Sequence, residues 1–317
     1  MNKNQKIKIN KIRFIKLGTQ KEKKENYCLE NGKMILGYRE INHENSIDDI
    51  KDECSKEYGS DGGAATRHAN QIKNFYDKSE TTLWITFARK KVWWGLIDST
   101  KQPYKDSDGY TYRDLKYGWQ SEDTQGRSLT FENVSGALLK TQGFRGTICD
   151  ITNENVKFDI EEYTKRLING EKLDEVNQAE KNQQAIEQSM ADLVKMLHPK
   201  DFEYIIDLIF QYSGWKKLTP GAGVEKDLDL DLHMPLTEER AFVQIKSSTN
   251  QMQYEEYEKI FFEHSDIYDR FFYVYHSSTK DIQPTRQDKP IHLLGINAIA
   301  KLIVELGLIT ILIKKVS

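Results

Sequence analysis

The chain has 317 residues, a hydrophobic fraction of 38% and a mean hydropathy of -0.69. This length suggests two domains, and a polar chain without an apolar run of about 18 residues is not expected to cross a membrane. The net charge of -3 and a pI near 6.2 exclude a uniformly basic nucleic-acid binder. Because 46 Lys and Arg stand against 49 Asp and Glu, a local basic groove remains compatible with this composition.

The cysteines and the first residues bear on the compartment. Cys28, Cys54 and Cys149 are odd in number and widely spaced, so they predict neither a disulfide framework nor a zinc ribbon. Free thiols of this kind are typical of a reducing compartment. The basic start of the chain has no apolar stretch behind it, which argues against a secretory signal. These features predict a cytoplasmic protein.

Residues 1–160 are predicted to form an N-terminal α+β domain. β-branched and aromatic residues predict strands at 11–16, 82–88 and 91–97. Arg89 and Lys90 separate the last two strands and predict a tight hairpin. Apolar residues on one face predict a helix at 67–76, and 144–149 is predicted to close the domain as a short, partly buried segment.

Residues 161–198 are predicted to form a helical connector. Asn169 and Gly170 break a first short helix, and a long charged helix follows from Glu175 to Leu197. Its apolar stripe is thin and lacks a sustained heptad, so a connector between two domains is favoured over a coiled coil.

Residues 199–317 show an alternating pattern of helices and strands and predict a second, α/β domain. Helices are predicted at 199–212, 254–262 and 297–306. Strands are predicted at 215–218, 227–233, 241–246, 271–275, 291–294 and 308–313.

The chemistry in this second domain is predicted from an aspartate and a Gln-x-Lys sequence. Asp229 lies on one predicted strand, and Gln244 and Lys246 share one face of the next strand because side chains alternate along a strand. If the two strands pair, a carboxylate, an amide and an ammonium converge. A divalent cation held by oxygen ligands polarises a phosphate and lowers the pKa of a bound water, and a lysine offsets developing charge. The pattern therefore predicts phosphodiester hydrolysis.

These residues resemble the catalytic domain of Mrr-type restriction endonucleases, which belong to the PD-(D/E)XK nuclease superfamily. The resemblance extends over the C-terminal region from Asp201 onward. It lies in a helix from Asp201, in Gly214-Trp215, in Gly221-Ala222-Gly223, in Asp229, in Gln244-Ile245-Lys246-Ser247-Ser248 and in a closing helix and strand at 291–313.

The resemblance implies a role for four residues of this chain. Asp229 matches the metal-binding aspartate, Gln244 the second metal position, and Lys246 the catalytic lysine. Glu203 matches the acid of the first helix that often completes the metal site. The implied cofactor is Mg²⁺ or Mn²⁺, and the four residues are the expected catalytic set.

One departure leaves the principal metal ligand open. The family usually has Asp-Gly-Gly-x-Asp before the catalytic strand, whereas this chain has alternating aspartates and leucines at Asp227, Asp229 and Asp231. Asp229 fits best because it lies between two leucines. Taken singly, each feature also has a plain structural explanation, since Gln-x-Lys is common and alternating aspartates usually line a solvated strand.

The implied function is a cytoplasmic, metal-dependent DNA endonuclease that restricts foreign or modified double-stranded DNA. A homodimer that cuts both strands is compatible with it. Two alternatives stay open: a non-catalytic DNA-binding module on an inert nuclease fold, and an RNA or structure-specific repair nuclease. A cleavage assay with and without a chelator separates an enzyme from a binder.

The N-terminal domain has the composition of a base-reading module. Its candidate substrate-binding residues are Trp93, Trp94, Trp119, Arg67, Asn70, Gln71 and Arg145. Aromatic faces beside amide and guanidinium donors suit an extruded base. By the resemblance, this domain would supply specificity, for example on a PUA-like fold with a small curved sheet. The alternative is that the aromatic rings pack a small β core or a partner interface.

Overall fold

The computed structural model describes residues 6–18, 24–38, 41–59, 61–152, 158–218, 229–286 and 288–317. The chain divides into two compact units, Met1–Leu173 and Asp174–Ser317. Both combine helices with mixed sheets, which confirms the predicted α/β class.

The boundary between the units differs from the predicted one. No separate connector occupies 161–198, because its two helices belong to different cores. The helix Ile160–Asn169 buries Ile168 in the first unit. The helix Asp174–Lys195 buries Met190 and Val194 in the second unit.

The described part of the first unit contains two sheets. Its strands are β1 Lys11–Ile15, β2 Lys33–Leu36, β3 Thr82–Ala88, β4 Lys91–Leu96, β5 Tyr104–Lys105, β6 Thr111–Asp114 and β7 Ile148–Asp150. Its helices are α1 Lys24–Glu30, α2 Ile47–Tyr58, α3 Gly62–Phe75, α4 Gly136–Leu139 and α5 Ile160–Asn169. One sheet has the order β4-β3-β1-β7, with β1 parallel to β3, and the other has the order β2-β6-β5.

Side-chain alternation along β3 explains how the larger sheet packs. Leu83 and Ile85 lie in a core with α4 and α5, whereas Trp84 lies on the other face with α1 to α3. The predicted hairpin between β3 and β4 is confirmed. Arg89 and Lys90 both have positive φ, at 52° and 56°, as a tight two-residue turn requires.

Within the described ranges, the second unit is built around a sheet of five strands. Its helices are α6 Asp174–Lys195, α7 Pro199–Tyr212, α8 Gln251–Glu263, α9 Ile296–Glu305 and α10 Ile309–Val316. Its strands are β8 Lys216–Lys217, β9 Leu230–Met234, β10 Glu239–Thr249, β11 Arg270–Ser278 and β12 Ile291–Leu294. The order is β12-β11-β10-β9-β8, with β8 to β10 antiparallel and β10 to β12 parallel.

The central strand β10 separates two hydrophobic cores. Val243 and Ile245 face the core formed with α6, α7, α9 and α10. Phe242 faces the opposite core, in which α8 contributes Tyr254 and Phe261. Because side chains alternate, Gln244 and Lys246 point toward the α8 side of the sheet.

The predicted strand at 308–313 is wrong, because this segment forms the helix α10. Leu308 and Leu312 are both buried in the core shared with α6, and a spacing of four residues places them on one helical face. The β-branched run favoured a strand, but short apolar runs fit both structures and packing decided between them.

Membrane-spanning helices were sought in the described part of the chain. No single helix there has the length and apolar character to span a bilayer. Only α9 and α10 taken together pass by length and composition, and they are bent by 119° relative to each other.

Candidate active site

Asp229 and Gln244 meet where β9 begins beside β10. Leu230 pairs with Val243, so the residue before Leu230 lies next to Gln244. The Asp229 Oδ2 atom accepts a hydrogen bond from the Gln244 side-chain amide and another from the Ile245 N–H, at 2.7 Å. The structure thus brings together the aspartate and the glutamine that the sequence singled out.

The environment of Asp229 disfavours its negative charge. Burial is the largest influence and raises the pKa of the Asp229 carboxyl, and the nearby Glu203 carboxylate adds to this effect. The Ile245 N–H and the charges of Lys246 and Lys200 lower the pKa, without offsetting the rise. A bound cation would compensate this charge.

A cavity of about 220 Å³ opens beside Asp229. It is lined by Lys200, Glu203, Tyr204, Asp207, Lys217, Asp229, Leu230 and Ile245. Glu203 pairs with Lys200 at 3.0 Å across one turn of α7, and its side chain is 38% exposed. Glu203 and Asp229 therefore line the same cavity.

Asp207 is a cavity residue that the sequence did not single out. It follows Glu203 by one helical turn on α7, so both face the cavity. Its Oδ1 atom is buried and has no hydrogen-bond partner among the described residues. The spacing of four residues within the predicted helix is the signal that could have indicated it.

The three candidate aspartates are in different situations. Asp227 lies outside the described residues, as does the predicted glycine loop at 221–223. Asp231 forms a salt bridge with Arg240, whose Nη2 lies 2.7 Å from its Oδ2. Of the two that are described, only Asp229 lines the cavity.

Lys246 lies on the same strand face as Gln244 and contacts α8. Its Nζ is 4.7 Å from the centroid of the Tyr257 ring. Its effect on the pKa of Asp229, which opposes the larger effect of burial, places the ammonium within electrostatic range of the carboxylate. Lys246 therefore contacts α8 directly and acts on Asp229 through its charge.

The donor set fits a hard divalent cation. Asp229 and Glu203 line the cavity and Gln244 binds Asp229, and all three side chains carry oxygen atoms, the ligands that Mg²⁺ and Mn²⁺ prefer. Gln244 is 2% exposed, and its buried Oε1 has no partner in the described part of the protein. Within the described ranges, no group of three or more His, Cys, Asp or Glu side chains is arranged to hold a metal ion.

The tryptophans singled out in the first unit are engaged in its fold. The indole N–H groups of Trp93, Trp94 and Trp119 donate to the backbone carbonyls of Ala88, Glu122 and Lys33, at 3.0, 2.8 and 2.8 Å. Trp94 and Trp119 are buried. These contacts favour the alternative in which the rings pack a β core.

The polar candidates of the first unit divide into two groups. Gln71 is buried, and its Oε1 accepts hydrogen bonds from the backbone N–H groups of Thr147 and Ile148, at 2.6 and 2.9 Å. Gln71 therefore ties α3 to the start of β7. Arg67, Asn70 and Arg145 are exposed, and their predicted role in substrate binding stays a prediction.

Comparison with known proteins gives no match: no family model, no curated protein and no solved structure is significantly similar to this chain.

Proposed function

We propose that the second unit is a metal-dependent endonuclease of the Mrr type, which hydrolyses DNA phosphodiester bonds. The observation that carries the proposal is the pairing of Asp229 with Gln244 at the cavity that Glu203 also lines. The order of elements supports it, because α7, β8, β9, β10, α8 and β11 follow the order on which the resemblance rests.

Each residue has a chemical role in this proposal. Asp229, Gln244 and Glu203 would hold Mg²⁺ or Mn²⁺, which when bound polarises the phosphate and lowers the pKa of a coordinated water. Lys246 offsets the charge that develops on the phosphate. Lys200 and Lys217 on the cavity wall attract the phosphate backbone and orient it toward Asp229.

The biological setting belongs to the same proposal. Double-stranded DNA, foreign or modified, is the substrate, and the first unit supplies specificity through exposed polar residues such as Arg67, Asn70 and Arg145. Cys28 and Cys54 are buried thiols, which supports a reducing, cytoplasmic compartment. A homodimer would place two such sites on the two strands of one duplex.

Plasmid cleavage tests the enzyme. Purified protein is incubated with unmodified and base-modified DNA in Mg²⁺ or Mn²⁺, and in EDTA. Cleavage is expected only with the metal, and it should be lost in the Asp229→Asn variant. The matched control is Asp192→Asn, which changes an exposed carboxylate on α6 and should leave the rate unchanged. Cleavage that survives both EDTA and Asp229→Asn would refute the proposal.

One observation also favours a non-catalytic DNA-binding module. Two protein donors already bind Asp229 Oδ2, so the protein satisfies part of this carboxylate without a cation. In that case the wild-type protein binds DNA and cuts none, with or without metal. RNA and branched DNA are included among the substrates. Cleavage of these alone would indicate an RNA or structure-specific nuclease instead of a DNA endonuclease or a DNA-binding module.

A further inference from the structure

The Lys246 ammonium lies over an aromatic ring. Its Nζ is 4.7 Å from the centroid of Tyr257, which is within the range in which a ring face attracts a cation. Tyr257 is partly buried at the edge of the α8 core. The contact follows from the fold, because Lys246 emerges on the sheet face that α8 covers.

The ring itself rests on a fixed surface. Tyr257 packs against Tyr273, with ring centroids 6.2 Å apart. Tyr273 is fully buried, and its hydroxyl forms a hydrogen bond with Thr249 at the end of β10. The Tyr257 ring is therefore supported by Tyr273 of β11, which is in turn bonded to the strand that carries Lys246.

A lysine side chain has a flexible four-carbon stem, so its ammonium can occupy many positions unless a partner restricts it. Here the Tyr257 ring restricts the Lys246 ammonium, whose charge also acts on Asp229. A cation already in place when the phosphate arrives requires no reorganisation during the reaction.

We propose that Tyr257 is the positioning residue for Lys246, because its ring face holds the ammonium within electrostatic range of Asp229. Tyr257 acts through Lys246 and does not touch the phosphate. The effect on cleavage rests on the proposed nuclease function, whereas the contact itself does not.

The experiment combines spectroscopy with kinetics. Reductive methylation with ¹³C-formaldehyde labels lysines and keeps their charge. The Lys246 signal is assigned by its absence in Lys246→Arg. Tyr257→Phe keeps the ring, Tyr257→Leu removes it, and Tyr257→Met is a second ring-free variant if leucine unfolds the protein. Tyr212→Leu is the matched control, since Tyr212 is 61% exposed.

The expected result is an upfield ring-current shift of the Lys246 methyl signals in wild type, Tyr257→Phe and Tyr212→Leu. This shift disappears in the ring-free variants. Their single-turnover cleavage should fall by about five- to tenfold with unchanged DNA affinity, in keeping with one partly desolvated cation–π contact. Tyr257→Phe should retain the wild-type rate.

The proposal is overturned if the shift is missing in wild type, if it survives in Tyr257→Leu and Tyr257→Met, or if ring removal leaves the rate of an active wild type unchanged. If the wild type cuts nothing, the nuclease proposal has failed, and the spectra alone decide whether Tyr257 holds Lys246.

Discussion

The carboxylate of Glu258 is expected to hold a loop onto α8. Glu258 is 2% exposed and accepts hydrogen bonds from Tyr254 Oη at 2.7 Å, from Thr285 N at 2.9 Å, from the Thr285 hydroxyl and from Arg286 N at 3.3 Å. Replacing Glu258 with alanine removes every one of these acceptors. The residues at 285–286 then lose three hydrogen bonds to the helix that carries Tyr257 and keep the contact of Arg286 with the Phe262 ring.

The size of the effect follows from the number of bonds. Hydrogen bonds to a charged acceptor contribute about 1.5–3 kcal/mol each, but loop donors near the surface recover part of this by bonding to water. Glu258→Ala should therefore lower the free energy of unfolding by about 3–5 kcal/mol. Glu258→Gln, which keeps one acceptor oxygen, should cost less.

Urea denaturation and amide hydrogen exchange measure this effect. The amides of Thr285 and Arg286 should exchange faster in Glu258→Ala, and the midpoint should move to lower urea. The control is Glu255→Ala, one turn earlier on the exposed side of α8, where a change within about 0.5 kcal/mol is expected. A loss below about 1 kcal/mol in Glu258→Ala, with unchanged exchange, would show that the loop does not depend on this carboxylate.

Three further predictions concern the second unit. Because burial raises the pKa of Asp229, ionisation of this carboxyl opposes folding, so without metal its contribution to stability should fall as the pH rises above about 4, its unfolded-state pKa. In thermal melts in EDTA, Asp229→Asn should therefore gain stability relative to the wild type over this range, and an identical pH dependence of the two proteins would contradict the reasoning. The single-turnover cleavage rate of Lys246→Arg should fall by a factor on the order of 10², because the larger planar group cannot occupy the same position. Full activity of this variant would mean that Lys246 only binds a phosphate. The fragment 174–317 should fold cooperatively by circular dichroism, whereas 199–317, which lacks the buried Met190, Ala191 and Val194, should be less stable by about 4 kcal/mol; equal stability would contradict the boundary at residue 174.

The sequence predicted elements well where one periodicity dominated. The bounds of β3, α7 and β12 agree with the prediction. β3 is rich in β-branched and aromatic residues, and α7 has a continuous apolar face. The meeting of Asp229 with Gln244 could also be predicted, since it needs only strand alternation and a paired neighbour.

Features that depend on packing between distant segments could not be predicted. The sequence predicts a strand where α10 forms, because nothing local distinguishes this apolar run from a strand. Tyr257 and Glu258 are ordinary helix residues in the sequence, and their roles arise only from the strand and loop that α8 meets. In the sequence, Trp94 fits a surface on which a base stacks. Its structural role becomes clear only from the hydrogen bond that its indole N–H donates to the Glu122 carbonyl.

The first turns of α6 have a consequence for how such a chain can change over evolution. Residues 174–189 are exposed or only partly exposed, and the buried residues of α6 begin at Met190. A recombination event near Leu173 would therefore join complete hydrophobic cores without dividing either one. The same stretch can accept insertions at little cost in stability, so a different N-terminal module could be fused here to the unit that contains Asp229.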